Sequence, residues 1–356
     1  MIRRFTANNF RCLENVELNF CPDFNLIYGA NASGKTSILE ALAYLGRGKS
    51  FRGASIRNLV RHGEQEFVLF GETGSDGRAH RVGVRNSREG LEVRVDGISS
   101  GGAAALAQAL PLQVIDPEVH NLVAGGPELR RRFIDWVAFH VEHDHLQTWR
   151  QFRRALKQRN AALKSGASVA TIRSWDAEFV DLAARLDASR RDALEVAIGA
   201  LADFGARLLN TDLGFEYQQG WNVGKPLADA LAEGLERDRQ QGATQSGPHR
   251  ADLKVTYDER QARKLVSRGQ QKLLASAMIL AATETAQSAL ERPLLLLLDD
   301  PAAELDADAL HRLLEAVRSL GCQVIATSLA PDALSLPANT NVFHVEHGAV
   351  RAVPAE

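Results

Sequence analysis

Cysteine is scarce in this chain. Three residues among 356, Cys12, Cys21 and Cys322, are odd in number and scattered, which excludes a disulfide framework and a cysteine-based metal site and fits a reducing, cytoplasmic setting. Long hydrophobic runs are missing as well. The longest run of large aliphatic residues, Leu294 to Leu298, is far short of the roughly 20 residues that a membrane helix needs. The start, Met1-Ile2-Arg3-Arg4-Phe5, is charged and has no apolar core of signal-peptide length. The expectation is a soluble cytoplasmic protein without a membrane partner. Neither sign of charge dominates: 42 Lys and Arg against 44 Asp and Glu leave a net charge of −2, so any nucleic-acid role needs a local basic patch. No internal repeat or low-complexity tract appears, which excludes a solenoid or a linker-rich chain. What remains is an ordinary globular composition, 45% hydrophobic and 24% charged, at a length that suggests about two domains.

Against that background one stretch stands out, Gly29-Ala30-Asn31-Ala32-Ser33-Gly34-Lys35-Thr36. It follows the apolar run Asn25 to Tyr28 and precedes a helical pattern, Ser37 to Leu45, with Ile38, Leu42 and Leu45 on one face. Strand, glycine-rich turn and helix are the context a phosphate-binding loop requires. Such a loop turns backbone N–H groups and a helix N-terminus toward a nucleotide's phosphates. Lys35 would reach the β- and γ-phosphates and the Thr36 hydroxyl would ligate Mg²⁺, so the loop reads as an ATP or GTP site. A glycine turn without nucleotide is the alternative.

Around it, Ile2 to Phe20 reads as strands turning at Asn9-Phe10-Arg11. Phe67 to Glu72, Ala79 to Val84 and Leu91 to Val95 alternate in period two, with turns at Gly74 to Gly77 and Ser87 to Gly90, as an antiparallel meander would. From about Glu128 to Phe204 the period is helical. Leu146 to Lys164 carries Trp149, Phe152, Leu156 and Leu163 on one face and Arg150, Arg153, Arg154, Lys157, Arg159 and Lys164 elsewhere, with no acid. A second helix, Trp175 to Phe204, has Ser174 as its candidate N-cap. Near the far end, Leu294 to Leu298 runs into Asp299-Asp300, the pattern of a buried parallel strand whose C-terminal tip delivers carboxylates to a ligand crevice. Asp299 is the candidate metal-side acid and Asp300 the candidate catalytic one. Ser267-Arg268-Gly269-Gln270-Gln271-Lys272 opens a further helix, through about Ala289, and makes a second anion site. One chain rarely needs two, so Ser267, Gly269 and Gln270 are read as completing the site of another copy across a two-fold dimer. A bare helix cap is the alternative.

Together with Ala303-Glu304-Leu305-Asp306, these elements resemble the ATP-binding-cassette head of transporters and chromosome-maintenance ATPases. The match narrows through Asn9-Phe10-Arg11, Gly29-Ala30-Asn31, Gly46 to Arg52, Gly126-Pro127 with Arg130 to Asp135, Lys157-Gln158-Arg159-Asn160, Gly247-Pro248-His249-Arg250 and the Gln-Gln-Lys form of the signature. On these the chain resembles, over nearly its whole length, the RecF family of bacterial recombination and repair proteins. The resemblance implies an α/β fold: an ATP-binding-cassette head with an antiparallel β subdomain and an inserted helical domain. We expect the head over residues 1–112 and 246–356 and the insertion over 113–245. It further implies ATP and Mg²⁺ as cofactors, a homodimer in the ATP state, weak DNA-stimulated ATP hydrolysis and binding to single-stranded and gapped duplex DNA. RecO and RecR are the implied partners, in recombinase loading and the SOS response.

By position, Gln113 stands where the family's magnesium-sensing glutamine is expected. Asp300 replaces the usual glutamate, so hydrolysis should be slow, and Thr327-Ser328 occupies the place of the transporters' switch histidine. Arg153, Arg154 and Lys157 are the candidate DNA contacts, with Arg47, Lys49, Arg52 and Arg130 to Arg132 as extensions of the track. His140, His143 and His145 lack the spacing of a helical zinc pair. A transporter ATPase subunit and a small-metabolite phosphotransferase are the rival readings; the first lacks a reason for the basic helix, the second for Ser267 to Lys272.

Overall fold

The computed structural model describes all residues except 76, 77, 100, 259, 304, 355 and 356. Of the sequence expectations, the turn residues Asp76 and Gly77 and the acid Glu304 lie outside the described residues. The chain forms two compact units, Met1–Val119 with Glu291–Glu356, and His120–Leu290.

In the first unit β1 (Ile2–Phe10) and β2 (Leu13–Asn19) form an antiparallel hairpin whose alternating burial sends Phe5, Ala7, Val16 and Leu18 inward. Asn9 and Arg11 turn it with left-handed backbone, φ 56° and 58°. β3 (Phe24–Tyr28) leads into the glycine-rich loop and the helix Lys35–Arg47. Then β4 (Phe67–Ser75), β5 (Arg78–Ser87), β6 (Gly90–Val95) and β7 (Ile98–Ser99) extend the hairpin into an antiparallel sheet of order β2-β1-β4-β5-β6-β7. The expected meander is therefore present. β8 (Leu112–Ile115) ends the N-terminal part of the unit.

The second unit holds β9 (Leu213–Gln218), β10 (Asp252–Tyr257) and β11 (Arg260–Gln261), an antiparallel sheet beside long helices. Helix His145–Lys164 packs Phe152 and Ala155 against Phe179, Leu182 and Leu186 of helix Asp176–Leu209, and Leu227 and Leu231 of helix Leu227–Gln241 complete this core. Ser174 is not the N-cap of the long helix. The polar linker before it folds into a short helix, Val169–Arg173, and the Ser174 hydroxyl donates to Thr171 O at its end, leaving Trp175 at the cap. The unit also extends beyond the expected insertion. Residues 246–290 cluster here because helix Arg268–Leu290 packs on helices Asp176–Leu209 and Pro127–Val141. That helix has the length and apolar composition of a membrane span, yet Leu273 to Ala282 are buried within the unit.

After Leu290 the chain returns with β12 (Leu295–Leu298), helix Ala307–Ser319, β13 (Gln323–Ser328), β14 (Asn341–Glu346) and β15 (Ala349–Val353). The second sheet of the first unit has the order β15-β14-β3-β13-β12-β8, parallel except for β15. Its β12, four leucines all buried, is the interior strand that the leucine run predicted. One core joins both sheets through helix Lys35–Arg47: Phe5, Phe10, Leu69 and Val84 from the first sheet, Ile38, Leu42 and Leu45 from the helix, Ile27, Leu297 and Ile325 from the second. The approach is close enough that a Cβ on Gly46 would sit 2.5 Å from Leu112 Cδ2. Truncating a side chain such as Leu42 in this interior would cost about 2–5 kcal/mol.

Candidate nucleotide site

Three neighbouring parallel strands, β3, β13 and β12, end together, with Tyr28 opposite Ser328 and Ala326 opposite Leu298. The loop after β3 is shaped by backbone constraints. A Cβ on Gly29 would lie 2.3 Å from the Val345 carbonyl oxygen, so only glycine fits there, and Gly34 enters the helix at φ 118°. The loop is braced from outside by the β14–β15 hairpin, whose Gly348 N–H donates to Ser33 O at 2.8 Å. That hairpin lies outside the sequence expectations, although His347-Gly348 between two alternating runs is a turn signal.

Lys35 heads the helix, nearly buried, and its ammonium donates to Gly29 O at 2.7 Å and Ala30 O at 2.9 Å. Burial lowers its pKa, while Asp300 and Asp299 pull it back up. The next residue, Thr36, donates its hydroxyl to Asp299 Oδ1 at 2.9 Å. Thr327 at the end of β13 donates to the same oxygen at 2.9 Å and accepts from the Asp300 N–H at 2.9 Å. Burial raises the pKa of both acids, against the hydroxyls of Thr327 and Thr36 for Asp299 and against Lys35 for Asp300. Asp300 has a left-handed backbone, φ 48°, a costly conformation held by the Thr327 bond on one side and the 3₁₀ turn Pro301–Ala303 on the other. So the structure brings Gly29 to Thr36, Asp299 and Asp300 together as the sequence predicted, and adds Thr327 as the hydroxyl joining both acids.

Gln113 departs from expectation. It lies inside β8 opposite Leu296, short of the strand tip, and its amide oxygen accepts from Arg47 Nη2 at 2.9 Å. The physical reason is the Arg47 guanidinium, whose pKa burial lowers to about 10 and which needs an acceptor at that edge. Arg47 thereby leaves the proposed DNA track. So does Arg130, which forms a bidentate pair with Asp252 at 2.7 and 3.0 Å.

The donor set fits a nucleotide with a hard divalent cation: a glycine cradle, a lysine, Thr36 and Asp299 as oxygen donors, and the buried Ser33 hydroxyl, which has no hydrogen-bond partner.

In the second unit Ser267 and Gln270 bond each other reciprocally at the start of helix Arg268–Leu290. The Ser267 N–H donates to Gln270 Oε1 at 2.9 Å and the Gln270 N–H to Ser267 Oγ at 3.3 Å, a capping box. Ser267 is exposed, and a Cβ on Gly269 would meet open space. Arg153, Arg154 and Lys157 are exposed on helix His145–Lys164, with Arg153 stacked 4.7 Å over the Trp149 ring. Arg159, on the same helix, is not part of that face. It is fully buried and bonds Asp176, Asp238 and Thr244 at 2.8–2.9 Å. The three histidines diverge: His143 is exposed and His145 is buried against the Ser189 hydroxyl at 2.8 Å.

A parallel sheet carrying a phosphate loop, an acidic strand tip and an inserted helical unit with a signature helix defines the class, a head of the ATP-binding-cassette type. Residues 1–351 match the family model described as RecF/RecN/SMC N terminal domain. Proteins named DNA replication and repair protein RecF are similar throughout: that of Edwardsiella ictaluri is 39% identical, covering 98% of this chain and 99% of its own, and that of Hydrogenovibrio crunogenus 36% identical, covering 98% of each. Among solved structures, the recombination mediator protein RecF with ATP in the RecFOR pathway superposes with a TM-score of 0.90 at 25% identity, over 99% of this chain and 97% of its own. An Smc head bound to the C-terminal winged-helix domain of ScpA shares the fold, with a TM-score of 0.61 at 15% identity over 99% of this chain and 96% of its own. The chain belongs to the RecF family, within the RecF/RecN/SMC group.

Proposed function

We propose that this protein is an ATP-switched DNA-binding protein of recombinational repair and replication. The observation that carries the reading is the single network Thr36–Asp299–Thr327–Asp300 beside the glycine cradle and Lys35. Gly29 to Gly34 offer backbone N–H groups to the phosphates, and Lys35 exchanges the Gly29 and Ala30 carbonyls for β- and γ-phosphate oxygens. Thr36 and Asp299 would hold Mg²⁺, which when bound would supply charge neutralisation at the phosphates. Asp300, whose raised pKa makes it a better base than an ordinary aspartate, accepts the proton of the attacking water. With one methylene fewer than glutamate it reaches less far, in keeping with slow turnover.

Ser267, Gly269 and Gln270 close a partner copy's site in an ATP-dependent homodimer. Arg153, Arg154 and Lys157 contact the backbone of single-stranded or gapped duplex DNA, which raises the hydrolysis rate. RecO and RecR are the protein partners, in recombinase loading and the SOS response. Light scattering with saturating ATP tests the switch: the wild type should dimerise, and Ser267→Arg, which puts a bulky cation at the exposed signature, should bind ATP but remain monomeric. A mutant dimer as stable as the wild type would refute the arrangement.

A further inference from the structure

β8 and β12 run parallel and in register, Leu112 opposite Leu295, Val114 opposite Leu297 and Ile115 opposite Leu298. The pairing continues past the last strand residues, where the Asp299 N–H donates to Ile115 O at 2.9 Å. The residue that follows β8 is Asp116. Side chains alternate along a strand. Leu112 and Val114, like Leu295 and Leu297, enter the core around helix Lys35–Arg47, so Asp116 and Asp299 are the next residues on that same face. Neighbouring strands are about 4.8 Å apart, which puts two carboxylates side by side at the tips, facing the helix whose Thr36 already bonds Asp299. The charge of Asp299 reaches Asp116, which is half-buried. Gln113, expected in this role, is occupied by Arg47 further back in the strand.

We propose that Asp116 is the second carboxylate of the metal side of the site, holding the hydration shell of Mg²⁺ together with Asp299 and Thr36. Mg²⁺ keeps several of its waters and is held in proteins by one or two carboxylates, so this pair fits its habits. Asp116 is a positioning residue here, acting through water. The inference rests on the proposed function, since the ion enters with ATP.

A purely structural role is the rival: Asp116 attracts the Arg47 guanidinium and receives a backbone N–H from Glu118 in the turn that leaves the strand. The two roles separate in a titration of Mn²⁺ into the full chain saturated with a non-hydrolysable ATP analogue. Asp116→Asn keeps the shape and the turn but removes the charge. It should raise the Mn²⁺ dissociation constant roughly 10–100-fold, the usual penalty for losing an outer-shell partner, with nucleotide affinity in EDTA unchanged. Asp116→Glu, which keeps the charge, should recover part of the loss. A lowered melting temperature with wild-type Mn²⁺ affinity would assign Asp116 to Arg47 alone and overturn the inference. Failure of the wild type to bind the analogue would overturn the proposed function itself, and this inference with it.

Discussion

Two regions of this molecule are dense in charge, and they use it in opposite ways. At the phosphate loop, Asp299, Asp300 and Lys35 are all held in environments that disfavour their charged forms, and the hydrogen bonds of Lys35 among the described residues go to carbonyl oxygens. In the second unit buried arginines are matched to carboxylates. Arg159 pairs with Asp176 and Asp238, Arg190 with Asp135 at 2.7 and 3.1 Å, Arg130 with Asp252. These pairs, with Arg131 beside them, bind the segment from Thr244 to Asp252: Arg159 donates to Thr244 Oγ1, Arg190 to Pro248 O at 2.7 Å and Arg131 to Ala251 O at 2.8 Å. The comparison teaches how to tell a site from a scaffold. Charges paired within the fold specify a conformation, whereas charges left wanting a partner are prepared for a ligand.

The comparison breaks most visibly at Lys35. Lys35→Ala should abolish ATP binding, because it removes the only side-chain cation in the loop, while leaving the fold intact; near-normal affinity by calorimetry would remove the distinction. Asp300→Asn should keep ATP bound and slow hydrolysis by roughly 10²–10⁴, the usual contribution of a general base, as a steady-state phosphate-release assay would show. Asp238→Ala should do the reverse. It leaves Arg159 buried with one carboxylate fewer, so denaturant unfolding of the second unit should lose about 3–5 kcal/mol, with nucleotide affinity unchanged.

The pH dependence sharpens the contrast. Burial lowers the His249 pKa to about 4, and its neutral ring, with Nε2 2.8 Å from Thr244 O, is the folded form. The unfolded chain, with an ordinary histidine, binds the proton from about pH 6.5 downward. Stability is therefore fully present above that pH and falls as pH drops toward 4, by up to about 3 kcal/mol. His249→Gln should flatten this slope in unfolding measurements between pH 7 and 4.5. The smallest effect belongs to the exposed charges: changing Arg153, Arg154 and Lys157 to Gln should lower the salt slope of DNA binding by roughly 0.7–0.9 per lost contact and leave stability unchanged.

Much of the nucleotide site is legible in the order of the residues alone. A phosphate loop is contiguous, and its chemistry demands glycine, lysine and threonine at fixed spacing, so Gly29 to Thr36 can be read directly. The leucine run ending in Asp299-Asp300 is equally readable, because a strand buried on both faces admits only apolar residues until it reaches its tip. Thr327 stands out in the sequence only as the place of a missing histidine. Its bonds to both acids depend on β13 lying between β3 and β12, an order that no local pattern encodes. Arg159 misleads for a related reason: a basic residue at that spacing is usually solvated, and its acids stand at Asp176 and Asp238, in two other helices.

What the sequence by itself determined is therefore local: where the chain turns around phosphate, where a strand must be buried and where a helix begins at Ser267. What only the tertiary structure decided is partnership. It placed Gln113 behind Arg47, brought Asp116 level with Asp299, set the β14–β15 hairpin against the loop and moved residues 246–290 into the second unit. The reason is physical. Backbone propensity and hydrophobic period act over a few residues, but a buried charge takes its partner from whatever the packing brings near, and that choice is made across the whole fold.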